Sequence, residues 1–171
     1  MTWRLGNLTE GERSFVLAHL ATGLFGAGLA LVVVMRLGGG MFFSRSMSGY
    51  EIWMVIAGGI GGGLGLYLNR HRMGVGGPRG VLQAFGAIIL TNIMGGVIGG
   101  TLALPLYGTM FGPFALVMIL LSSPFMFLLW LANQLGSHLL MARYHTERDS
   151  RNIKGELSRI ITSAKGPNIV P

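Results

Sequence analysis

Polar and apolar positions along this chain separate into long blocks instead of alternating. Asp, Glu, Lys and Arg are absent from Ser14–Met35, from Ile52–Asn69 and from the whole stretch Val81–Ala142. Crossing about 30 Å of hydrocarbon takes roughly 20 residues at 1.5 Å each. The first two blocks fit that length as single helices. The third is too long for one helix and is punctuated by Pro105, Gly108, Gly112 and Pro113. It reads as a helix over Val81–Leu104, a tight turn through Tyr107–Pro113 and a helix over Phe114–Leu135. The pattern predicts an all-α polytopic membrane protein. Residues 1–142 form a bundle of four transmembrane helices, at about 14–35, 52–69, 81–104 and 114–135, and 143–171 form a basic tail.

In the tail the apolar spacing changes to that of a surface helix. At 100° per residue Ile153, Leu157, Ile160, Ile161 and Ala164 share one stripe, with Lys154, Arg159 and Lys165 off it, and Gly166-Pro167 supplies a stop. An amphipathic helix over about 150–165 is expected, docking either on the membrane surface or in a groove of a partner protein. At the other end of the chain, Thr9-Glu10-Gly11-Glu12 has capping-box spacing, so the first helix starts there. Its apolar run is longer than a signal-peptide core and follows acidic residues, which argues against cleavage. Trp3, Leu5 and Leu8 fit the inner interface.

Composition excludes a soluble globule. Apolar residues make up 51% of the chain with 29 glycines beside them, and charged residues only 11%, where soluble domains carry about 25%. Intrinsic disorder needs the opposite balance. The net charge of +7 would suggest nucleic acid in a soluble protein, but here the cations sit in patches between apolar blocks, so no nucleic-acid partner is expected. No Cys is present, which removes disulfides, thiolate metal sites and thiol nucleophiles.

The cations also orient the chain. Arg4, Arg13, Arg70, Arg72, Arg79, Arg143, Arg148, Arg151, Lys154, Arg159 and Lys165 fall on one side, and only Arg36 and Arg45 on the other. The positive-inside rule then places both termini in the cytoplasm, with the bacterial inner membrane as the expected location. Tyr50, Trp53 and Tyr107 mark the outer boundary, and Tyr67, Trp130 and Tyr144 the inner one.

Glycine is the strongest further signal. Gly58/Gly62, Gly59/Gly63 and Gly61/Gly65 recur four apart in the second helix, Gly95/Gly99 and Gly96/Gly100 in the third, and Thr22/Gly26/Ala30 and Gly23/Ala27 in the first. Small residues at this spacing let backbones approach closely where lipid supplies little hydrophobic drive. They are expected to pack the bundle and to offer a docking face to another membrane protein or a second copy. Gly58–Gly62 and Gly95–Gly100 also resemble each other, a similarity that glycine-rich composition alone can produce. No strand or lysine accompanies them, so a phosphate loop is excluded.

Intramembrane polar groups are few: Thr91 and Asn92 in the third helix, Ser122 and Ser123 before Pro124 in the fourth. Pro124 frees a backbone carbonyl, and Asn92 is expected to donate to that kink. No charge falls at mid-membrane depth, where ion-coupled transporters place one. His19 and His138 lie near the inner ends of their helices and are the one pair able to ligate a haem or a bacteriochlorophyll-type pigment. Packing histidines are the simpler reading, and no cofactor is expected. Met35, Met41, Met47 and Met54 are spaced six, six and seven apart, which fits no compact copper site, and no metal is expected.

Without a nucleophile–base pair, a ligand cluster or paired carboxylates, catalysis is not expected. The sequence points to a non-catalytic accessory or assembly subunit of a larger inner-membrane complex. It would pack through Gly-rich faces and dock through Ile153, Leu157 and Ile160, flanked by Lys154 and Arg159. Lipid, other integral membrane proteins and a further copy of the chain are the expected partners. The alternative is a small membrane transport protein, or the membrane subunit of a transporter, with Thr91, Asn92 and Ser123 on its path; a haem- or pigment-binding membrane protein is the remaining one.

Overall fold

A computed structural model describes residues 8–38 and 46–164. Expectations on Trp3 and Leu5, on Met41 and Arg45, and on the Lys165-Gly166-Pro167 end lie outside the described residues. Within them the chain is all helix, with no strand: α1 Glu10–Leu37, α2 Gly49–Asn69, α3 Pro78–Ala103, α4 Gly108–Ser122 and α5 Pro124–Ala164. Four of these, α1, α2, α3 and α5, are long and apolar enough to cross a membrane.

The helix starts follow from local chemistry. Thr9 caps α1 and Glu12 closes a capping box on it. Ser48 and Glu51 do the same for α2, so Glu51 is a capping residue and the helix starts three residues before the apolar block. A side-chain oxygen here satisfies a backbone N–H that has no partner within the helix. α3 begins with Pro78 behind Gly77, where a missing N–H costs nothing.

In contact order the helices run α4–α3–α2–α1–α5, each packed on the next, while α4 meets α1 and α5 only sparsely. Glycine sets these contacts. Gly58 and Gly62 of α2 lie on the backbone of Gly26 and Thr22 in α1, so close that an added Cβ would stand 2.7 and 2.5 Å from their carbonyl oxygens. Gly59 and Gly63 also face α1, at Gly23 and His19. On the other side of α2, Gly61 and Gly65 meet Gly95 and Thr91 of α3, and Gly99 meets Ala57. Gly96 and Gly100 turn to α4 and lie against Gly112 and Gly108. The ten glycines singled out in the second and third helices are therefore each covered by another helix of the same chain.

Three expectations change. The turn after the third helix is Leu104–Tyr107, with Leu106 at φ 73°, and Gly108, Gly112 and Pro113 belong to α4. Those glycines are the partners of Gly100 and Gly96, not turn punctuation. Second, the fourth span is broken: Ser123 is extended (φ −147°, ψ 112°) and Pro124 opens a new helix. Third, no separate tail helix exists among the described residues. α5 runs unbroken for 41 residues, about 60 Å at 1.5 Å per residue, twice the thickness of the hydrocarbon layer.

Apolar side chains cover the outside. Leu24 is 73% exposed, and Leu17, Leu20, Leu82, Phe85, Leu121, Phe125 and Leu128 are also exposed, while Thr22, Thr91, Gln134 and Ser137 are buried. In water this arrangement would be an aggregation-prone surface. Against lipid it satisfies both the apolar exterior and the polar interior.

Candidate functional site

Two features stand apart from simple bundle packing: a polar cluster beside a cavity, and the exposed C-terminal stretch of α5.

The cluster is centred on Asn92 of α3. Its Oδ1 accepts from Trp130 Nε1 at 2.9 Å and from Gln134 Nε2 at 3.3 Å, both on α5. Its Nδ2 donates to Ile88 O of its own helix at 2.6 Å. Asn92 thus receives α5 side chains instead of donating to the Pro124 kink. Trp130, expected near the inner boundary, is a hydrogen-bond partner of Asn92 across the bundle. Nearby, the hydroxyls of Thr22 on α1 and Ser137 on α5 share a bond of 2.9 Å, and Thr22 also donates to Ala18 O. Thr22, Gln134 and Ser137 were not among the polar residues expected to matter. They lie inside uncharged blocks at helical spacing, which is the signal that would have found them.

Two oxygens of this cluster have no partner. Thr91 Oγ1 and Gln134 Oε1 are buried without a hydrogen bond, on residues that are 2% and 1% exposed. A buried polar group left unsatisfied costs about 1–3 kcal/mol. Both residues line a cavity of about 130 Å³, together with Thr22 and Asn92. The lining also includes Gly95 and Gly99 of α3, Leu104 after it, Leu29 and Val33 of α1, and Phe111 and Leu116 of α4. Among the described residues no ionisable side chain lines it.

Ser122 and Ser123 do not reach the cavity. Ser122 donates to Ile119 O at 3.0 Å, and Ser123 Oγ accepts from Met126 N at 3.4 Å, capping α5. The two histidines also have separate engagements. His19 Nδ1 bonds Phe15 O at 2.8 Å, and its ring packs on Phe15 at 4.2 Å. His138 Nδ1 accepts from Gly74 N at 3.1 Å, which seats the α2–α3 loop on α5. At Gly74, φ is +80° and the backbone lies against Met141 and Ala142, so only glycine fits there. No group of three or more His, Asp or Glu is placed to hold a metal among the described residues.

Where α1 begins, α5 passes it and continues. Gly11 N donates to Glu147 Oε2, Arg151 pairs with Glu147 at 2.9 Å, and Arg151 also donates to Thr9 Oγ1 at 3.0 Å. Beyond this junction every residue from Arg148 to Ile161 is exposed. Ile153, Leu157, Ile160 and Ile161 keep their common stripe and are each more than half exposed; Lys154 and Arg159 flank it.

No protein-family model, curated protein or solved structure matches the chain.

Proposed function

We propose that this protein is a non-catalytic subunit of a larger inner-membrane complex, docked through the projecting end of α5. One observation carries the reading: the apolar stripe Ile153–Leu157–Ile160 is exposed on a helix continuous with the bundle. A stripe on a helix that is continuous with a crossing helix, and not on a separate surface helix, suits the groove of a partner helix or domain better than the membrane surface. With the glycine faces covered inside the chain, this stripe and the lipid-facing exterior are the surfaces left for assembly. Arg13, Arg70, Arg72, Arg143 and Arg148 belong to the same end of the molecule, which is the cytoplasmic one by the positive-inside rule.

The test is recovery of tagged protein from its native membrane in gentle detergent. Stoichiometric membrane proteins in the eluate support the reading, and the chain alone as a discrete species contradicts it. A second reading, a small membrane transport protein, is favoured by the cavity at Thr91 and Asn92, although Ser123 is not on that path.

A further inference from the structure

We infer that Arg70, at the end of α2, holds the phosphate of an anionic phospholipid whose acyl chains lie on neighbouring exposed leucines. This does not depend on the docking role of α5. Arg70 follows Asn69, the last residue of a helix long and apolar enough to cross a membrane, so it stands at head-group depth. Its position is fixed from two sides. The guanidinium lies over the Tyr67 ring at 3.9 Å, and the carbonyl oxygen accepts from His145 Nε2 of α5 at 3.1 Å. Between these anchors runs an unbroken series of ring contacts across α2, α1 and α5. Tyr67 meets His19 at 6.1 Å, and His19 meets Phe15 at 4.2 Å. Phe15 meets Tyr144 at 4.9 Å, and Tyr144 meets His145 at 5.5 Å. Arg70 closes that series.

A guanidinium stacked on an aromatic face keeps its in-plane N–H edge for a ligand. Arg70 is only partly buried, and among the described residues no carboxylate pairs with it. Glu147, the acid nearest His145 in sequence, is already engaged by Gly11 N and Arg151. The C-terminus of α2 presents carbonyls and no free N–H groups, so recognition falls to the side chain. A phosphodiester matches the guanidinium in charge and geometry. Arg72 follows exposed in the same turn, and Arg148 is exposed about one turn beyond His145. These cations favour a lipid of net negative charge over one that carries its own cation. Leu20, Leu64 and Leu68, near His19 and Tyr67 on their helices, are exposed and give acyl chains a surface that free phosphate would not use.

The experiment counts lipids bound to the full-length chain, released from detergent, by native mass spectrometry. The probes are dioleoyl phosphatidylglycerol and dioleoyl phosphatidylcholine, which share their acyl chains and phosphodiester. The chain is expected to hold phosphatidylglycerol at least about fivefold more tightly, the factor that one cation near a membrane surface is worth. Arg70→Gln is expected to remove most of that preference. Tyr67→Leu, which keeps every charge but loses the stack, is expected to weaken phosphatidylglycerol about threefold. Arg79, exposed at the start of α3, is the control, and Arg79→Gln is expected to change nothing. Equal affinity for the two lipids, or equal losses from Arg70→Gln and Arg79→Gln, would overturn the site. Displacement of the lipid by glycerol phosphate at equal concentration would assign the site to free phosphate and overturn the lipid reading.

Discussion

Thr22 on α1 and Ser137 on α5 meet hydroxyl to hydroxyl at 2.9 Å, on residues 5% and 1% exposed. They are 115 positions apart in sequence, and their bond ties the first crossing helix to the last. Hydrogen bonds between helices in a bilayer average about 0.6 kcal/mol and reach about 1.7. Thr22→Val and Ser137→Ala are each expected to lower bundle stability by about 1 kcal/mol, read by unfolding in mixed micelles. The double variant should cost little more than either alone, since both remove the same bond.

Glycine substitutions should divide sharply by position. Gly108 and Gly112 lie directly on the backbone of Gly100 and Gly96, whereas nothing lies within 4 Å of a Cβ added at Gly86 or Gly136. Gly112→Ala is expected to force α3 and α4 apart and lower the melting temperature clearly. Gly86→Ala, in mid-helix with open space, should be neutral or stabilising by up to about 1 kcal/mol. Thermal melts followed by circular dichroism separate these outcomes.

Removing the Asn92 amide should strand its donors. In Asn92→Leu, Trp130 Nε1 and Gln134 Nε2 lose their shared acceptor. A loss of about 1–3 kcal/mol is expected, with a shift of Trp130 emission. An unchanged spectrum would mean that the indole bonds elsewhere.

How much of this was legible beforehand differs by element. The all-helical architecture, the apolar blocks and the Thr9–Glu12 capping box can be read directly, because burial in lipid and capping are local in sequence. The turn after the third helix reads as Tyr107–Pro113, and not Leu104–Tyr107, because Gly108 and Gly112 have two physical uses. They punctuate turns, and they also let helices touch. Only the facing pair Gly96 and Gly100 decides between them, and that pairing is tertiary. Thr91 and Asn92 were visible as intramembrane polar groups, but the acceptor role of Asn92 was not. It depends on Trp130 and Gln134 arriving from a helix nearly forty residues away. The apolar spacing of Ile153, Leu157 and Ile160 is visible in the sequence as a pattern. Its continuity with α5 could not be, since periodicity does not report whether one helix ends before the next begins.

The docking role of α5 is the central claim, and a single paired recovery tests it most directly. Wild-type and Leu157→Asp chains are purified side by side from native membranes in gentle detergent. Leu157 is 53% exposed, so the variant bundle should melt like the wild type. The account predicts co-purifying membrane proteins with the wild type and their loss with Leu157→Asp. Equal recovery of the same partners from both chains would contradict it.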